Sequence, residues 1–341
     1  MFFSCILSFI VLKSNHPIQE RQAQKKQLQG GTPMLHEVTF KSFNERDTVY
    51  GWIYVPAAEP KGIVQLIHGF GEHSRRYFHM IVRYLEAGYI VAADDHVGHG
   101  KTALENNTWG NWGDKGCHTM MEDEHTLKEL VCKMYPNLPF FLYGHSMGSV
   151  IARDFMAKYG NELAGATICG TLGIFPVEDA LLAKMEKLVA DGHGDECDPT
   201  LGGDLLGWMC ERCGEIKLGN EWICHDVNVQ NDHAADPFDA FTKPTSNRAM
   251  LDFVHMFKAI EGAEWASKVP TALPIYNIAG DEDPVGMYGE GVYQVSNWLI
   301  STGHNVKTKL YSGYRHEIHN YADIKDRVCD GIIAFMDSIV K

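Results

Sequence analysis

From Leu35 onward the chain alternates between two hydrophobic rhythms, and that alternation limits its possible folds more than any other feature. Short apolar runs suited to buried strands take turns with longer stretches whose apolar residues recur at helical spacing. The strand-like runs are 63–67, 89–93, 140–143, 164–169, 274–279 and 306–311; the helix-like stretches are 77–87, 122–135, 147–159, 288–300 and 322–340. In 122–135, for example, Leu127, Leu130, Val131 and Met134 share one face. Two earlier runs, 37–40 and 48–55, alternate apolar with polar and predict a hairpin. Repeated strand–helix–strand units imply the α/β class, with a mostly parallel central sheet and helices on both faces.

The rhythm breaks between 171 and 247. Val177, Leu181, Met185 and Leu188 mark one amphipathic helix, followed by a stretch rich in Gly, Asp and Cys. An insertion of this kind between regular units reads as a helical cap. Its apolar helix face is expected to turn toward the mouth of a site. The chain then divides into an N-terminal extension (1–33), a first core segment (34–170), the cap (171–247) and a second core segment (248–341). Residues 1–12 are apolar but too few to span a bilayer. They lack a preceding basic region and a following small-residue cleavage site, so they read first as a non-structural extension, with an export signal or membrane anchor as the alternative. Residues 13–33 are polar and of disordered composition.

A formal net charge of −14 argues against nucleic-acid binding, which leans on Lys and Arg. Nine scattered cysteines do not form the even framework of a small secreted domain, which points to a reducing, cytoplasmic setting.

The chemistry centres on Gly144-His145-Ser146-Met147-Gly148. A G-x-S-x-G is weak alone, but here it follows a buried strand and opens a helix, as a nucleophile elbow must. Ser146 would sit on a sharp, strained turn that lifts its hydroxyl above the sheet. Gly144 and Gly148 let strand and helix approach closely. An oxyanion needs two backbone N–H donors aimed at one point. Met147, directly after the nucleophile, is one candidate, and Phe70, between Gly69 and Gly71 in the loop after strand 63–67, is the other.

Three blocks, HGFGEHSRRY from His68, DDHVGHGKT from Asp94 and YGHSMGS from Tyr143, together resemble the monoacylglycerol lipase and lysophospholipase family. The resemblance implies a capped α/β-hydrolase fold, with a Ser-Asp-His triad that cleaves one acyl chain from a glycerol or glycerophospho head group. His68, His73, His96 and His99 are then loop histidines typical of the family. Its G-x-x-D pattern at Gly280–Asp283 selects Asp283 as the acid, with Asp281 the competitor, and the resemblance places the base at His316, with His319 the alternative. No cofactor and no metal are expected. The partner is a small-molecule acyl ester, with a lipid surface as one place to meet it, and the head group is expected near His73 and Arg76.

Cys210-x-x-Cys213 followed by Cys224-His225 could on paper hold zinc or form a redox pair. Adjacent Cys and His seldom aim at one metal, so the expected role is packing of free thiols within the cap. The whole reads as a carboxylic-ester hydrolase. A peptidase or thioesterase would share every triad residue, and a non-catalytic binding protein would lack one of them.

Overall fold

The apolar runs pair into one sheet. The computed structural model describes residues 34–241 and 243–340. Among them, eight strands lie in the order β1-β2-β4-β3-β5-β6-β7-β8. β1 (Leu35–Lys41) and β2 (Thr48–Tyr54) form the antiparallel hairpin that their alternation predicts, with Phe40 opposite Val49. β3 (Gly62–Ile67), β4 (Tyr89–Asp95), β5 (Phe140–His145), β6 (Gly165–Cys169), β7 (Ile275–Gly280) and β8 (Val306–Tyr311) run parallel to one another. β3 to β7 are buried from end to end, which is why they read as continuous apolar runs rather than alternating ones. β8 is an edge strand, and it carries Lys307 and Lys309.

Four helices punctuate the first half: α1 (Phe78–Glu86), α2 (Gly100–Asn106), α3 (Thr119–Met134) and α4 (Met147–Tyr159). Between β6 and β7 come α5 (Asp179–Ala190), α6 (Leu201–Leu206), α7 (Val227–Ala235), α8 (Asn247–Ala259) and α9 (Gly262–Ala266). α10 (Glu290–Ser301) and α11 (Lys325–Asp337) complete the layers. Helices cover both faces of the sheet, α1 packing with α11 and α3 with α4. This is the α/β-hydrolase architecture.

Two local differences from the sequence reading have physical causes. The helix expected from 288 begins at Glu290, because Met287 and Tyr288 stand at φ +50° and +56°, outside helical space. α8 was not anticipated at all. Met250, Phe253, Val254 and Phe257 are buried at helical spacing, but Asn247 and Asp252 are buried with them and dilute the apolar signal.

β3 and β5 are neighbours that β4 flanks on the far side, so the chain departs from β3 in both directions. Such a reversal opens a crevice at the carboxyl ends of the strands. The segments carrying Ser146, Phe70, Asp283 and His316 all leave strands β5, β3, β7 and β8 at that edge. Close approach of β5 and α4 depends on two glycines. A Cβ on Gly148 would run into the Ile67 and His68 carbonyls, and one on Gly144 into the Gly148 carbonyl and Ala152.

The 1–33 extension lies outside the described residues. Among the described residues, no helix is long and apolar enough to cross a membrane.

Candidate active site

Ser146 links β5 to α4 at φ 55° and ψ −123°, a conformation that costs a non-glycine residue roughly 1–3 kcal/mol. Its surroundings hold it there. The Ser146 N–H donates to the Cys169 carbonyl at 2.9 Å, and the Ser146 carbonyl accepts the Ser149 N–H at 2.8 Å. The turn after β7 carries Asp283, wholly buried, and the segment after β8 carries His316. His316 Nδ1 lies 2.9 and 3.0 Å from the two Asp283 oxygens, while its buried Nε2 has no hydrogen-bond partner. The imidazole is wedged between the rings of His145 and Trp222, at centroid distances of 4.5 and 5.0 Å. It also passes over Gly170, where a Cβ would stand 2.8 Å from the ring. The competing residues face elsewhere. Asp281 accepts the Gly313 N–H at 2.7 Å, and His319 stacks on Tyr77 at 4.7 Å. Burial, with His145 adjacent, pushes His319 well below the usual histidine range, so it is neutral.

The loop after β3 lies directly against the serine, since a Cβ on Gly69 would fall 3.0 Å from that of Ser146. Phe70 is the next residue, and its ring packs against Phe253 and Trp112. Gly71 is needed for two reasons. It stands at φ +75°, and a Cβ there would meet Phe241 at 2.8 Å. Met147 opens α4, where N–H groups have no acceptor within the helix. His68 sits behind the loop, stacked on His96 at 3.8 Å, with its Nε2 accepting the His96 N–H. Burial and the neighbouring His96 and His99 keep it well below the ordinary range.

Beneath the loop is a buried ionic network that sequence reasoning missed. Glu72 Oε1 accepts the Gly69 N–H at 2.6 Å and the Tyr77 hydroxyl at 2.5 Å. Tyr77 meets His145 Nδ1 at 2.8 Å, and His145 Nε2 lies 3.3 Å from the His316 carbonyl. Arg76 bridges Glu72 (3.5 Å) and Glu317 (3.0 Å). Burial opposes ionisation of Glu72, yet the His145 hydrogen bond and Arg76 bring its carboxyl down to about 2. Glu317 is likewise brought down to about 2, against burial, chiefly by Arg76. Both carboxylates are therefore charged at neutral pH, and they tie the Gly69 loop to the His316 segment. Glu72, Arg76 and Tyr77 stand in the motif block itself, but nothing in their spacing shows that they bond to one another.

Ser146 lines a small cavity of about 20 Å³, the room of a single water. Its walls are aromatic and aliphatic: Phe175, Trp208 and Trp222, with Phe241 and the α8 residues Phe253 and Phe257.

Residues 58–323 match the protein family described as serine aminopeptidase, S33 (Hydrolase_4). The chain belongs to this family of α/β-hydrolases. The S33 hydrolase is similar to a monoacylglycerol lipase of Mycolicibacterium smegmatis, with 33% identity over 80% of this chain and 87% of the relative. A monoglyceride lipase homolog of Monkeypox virus is 34% identical over 87% of this chain and 97% of its own length. A thermostable carboxyl esterase from Bacillus coagulans, solved with glycerol, superposes with TM-score 0.89 at 55% identity, covering 91% of this chain and all of that one.

Two expectations about this S33 hydrolase need correction. Arg76 is not free to meet a head group, being buried in its pairs with Glu72 and Glu317, and His73 is held by Asp236 at 2.8 Å. Nor does the α5 helix face the cavity. Met185 is wholly buried where α5 packs on α8, and no α5 residue lines the cavity. Among the described residues, the cap cysteines and His225 form no grouping of metal-ligand type. Cys210 and Cys213 donate to the Gly219 and Met209 carbonyls, Cys224 accepts the Asp226 N–H, and the His225 ring meets Glu282. Of the loop histidines, His96 alone joins a grouping of metal-ligand type, with Asp94 and Glu124. Its Nδ1 lies 3.3 and 3.4 Å from their oxygens.

Proposed function

We propose that this chain is a carboxylic-ester hydrolase that works through an acyl-enzyme on Ser146. Two observations carry the reading: the Asp283–His316 hydrogen bond with the other ring nitrogen unpaired, and a serine held in a strained strand-to-helix turn. Asp283 fixes the imidazole with its proton on Nδ1, leaving Nε2 as a base. Nε2 takes the Ser146 hydroxyl proton as Oγ attacks the ester carbonyl. The N–H groups of Phe70 and Met147 receive the negative oxygen. When the tetrahedral species collapses, His316 returns the proton to the leaving alcohol, and an acyl-Ser146 ester remains. Water then attacks it by the same proton relay, which frees the acid and restores Ser146.

The proposed substrate is an ester of a single acyl chain with a glycerol-type alcohol. The apolar cavity at Ser146 and the names of the relatives support it. We read 171–247 as the cap over the site, since Trp208, Trp222 and Phe241 all come from it. A cytoplasmic setting is supported by the free thiols at Cys169, Cys224 and Cys329, among others. The family's description favours a second reading, an aminopeptidase on the same triad. Paired assays of a monoacylglycerol and an aminoacyl amide decide between them. The ester should turn over at least a hundredfold faster, roughly the scale on which a well-fitted site discriminates. Preference for the amide would reverse the assignment.

A further inference from the structure

A cavity of about 20 Å³ cannot hold an acyl chain, so the substrate proposed above needs more room than the closed site offers. That room lies on the other side of Trp208. Outside the cavity is an open groove of about 740 Å³, and Trp208 lines both spaces. The groove is lined by Pro176, Leu181, Trp208 and Met287 together with the carboxylate residues Glu178, Asp204, Glu211 and Glu290 and with Arg212.

Trp208 sits in the short 3-10 turn Gly207–Cys210 that follows α6, and its neighbours Leu206 and Met209 also line the inner cavity. Its indole N–H donates to the Leu205 carbonyl at 2.8 Å, a bond within the same segment that travels with it. Gly203 and Gly207 lie in this stretch. Neither has a positive φ, and a Cβ on either would meet nothing within 4 Å. Neither backbone nor space requires glycine there, so what glycine contributes is freedom of movement. At the far end, the Arg212 guanidinium rests 4.1 Å over the Tyr288 ring and clips the segment to the loop that carries Asp283.

We propose that Trp208 is the specificity-determining gate of this site. When residues 203–212 swing, the cavity and groove join, and the acyl chain of an uncharged ester runs past Trp208 into the groove. The four carboxylates that line the groove disfavour a chain that ends in a carboxylate. The proposal rests on Ser146 being the nucleophile.

The test compares kcat/KM for p-nitrophenyl acetate, p-nitrophenyl decanoate and a decanoate carrying a terminal carboxylate. In Trp208→Ala the decanoate-to-acetate ratio should rise about tenfold, mainly through KM, because each buried methylene adds roughly fourfold in binding. Trp208→Phe should fall between Trp208→Ala and wild type. The carboxylate-ended chain should gain less than the plain one. An unchanged ratio, or an equal gain for the carboxylate-ended chain, overturns the gate. Should Trp208→Ala not fold, Gly203→Ala with Gly207→Ala stiffens the segment without touching the site, and the decanoate-to-acetate ratio should then fall about threefold, a loss on the scale of one methylene contact. No fall overturns the proposal. Ser146→Ala is run alongside. Persistent hydrolysis there removes the nucleophile reading itself, whereas a dead Ser146→Ala with an unchanged Trp208→Ala ratio removes only the gate.

Discussion

Asp283 and Asp281 are two residues apart in one loop, yet they do different work. The Asp283 carboxylate meets His316, and the Asp281 carboxylate caps the Gly313 N–H. Asp283→Asn should therefore lower kcat/KM for a butyrate ester by about three to four orders of magnitude, since the imidazole loses its enforced tautomer. Asp281→Asn should stay within about tenfold of wild type, as a substitution away from the reacting atoms does. Steady-state kinetics on the two purified variants checks the ranking, and the reverse order would move the acid to Asp281. The position of Asp283 was legible because a short pattern places it after a strand. The role of Glu72 was not. Its partners Gly69, Tyr77 and His145 come from three segments, and only folding shows that their donors converge on one carboxylate.

At the level of elements, the β5–α4 junction and the α3 helix make separate predictions. Gly148→Ala places a methyl group against two backbone carbonyls that cannot move without distorting β3. It should destabilise the protein by about 1–3 kcal/mol and lower activity in parallel, because Ser146 moves with the junction. Thermal unfolding and esterase assays on the same sample test this, and full activity at wild-type Tm would contradict it. In α3, Asp123 ties the helix to the β1–β2 turn by accepting from Ser42 Oγ (2.8 Å) and the Phe43 N–H (2.6 Å). Burial lifts its carboxyl from 3.8 to about 7, against the pull of those hydrogen bonds. A raised folded pKa means that the stability this group adds is full below pH 4 and fades as pH climbs through 7. Asn stays neutral throughout, so the Tm of Asp123→Asn relative to wild type should rise by about 2–4 °C between pH 5 and 8. A flat difference would refute the shift. The sequence shows elements where burial is uniform along a strand or one-sided on a helix. α8 escaped because polar side chains share its buried face.

At the largest scale, the described residues fold around one sheet, and the segment between β6 and β7 supplies most of the walls of the cavity at Ser146. The rhythm of the sequence breaks between β6 and β7, where helices intervene. The expectation that α5 lines the cavity at Ser146 was not correct, because periodicity shows that a face is buried but not what covers it. Met185 is wholly buried between α5 and α8. Met185→Arg should accordingly destabilise the fold by about 3 kcal/mol or more, since an unpaired charge is forced inside. The relative rates on short and long esters should be unchanged. A selective loss on long esters at wild-type Tm, seen by paired melting and kinetics, would place Met185 against the cavity at Ser146.

The central claim is that Ser146 forms the covalent intermediate, and intact-mass spectrometry after fluorophosphonate treatment tests it most directly. Wild type should gain one adduct per chain, mapped to the peptide containing Ser146. Ser146→Ala should gain none and lose several orders of magnitude in ester hydrolysis. An adduct on Ser146→Ala, or a labelled wild-type residue other than Ser146, would contradict the account.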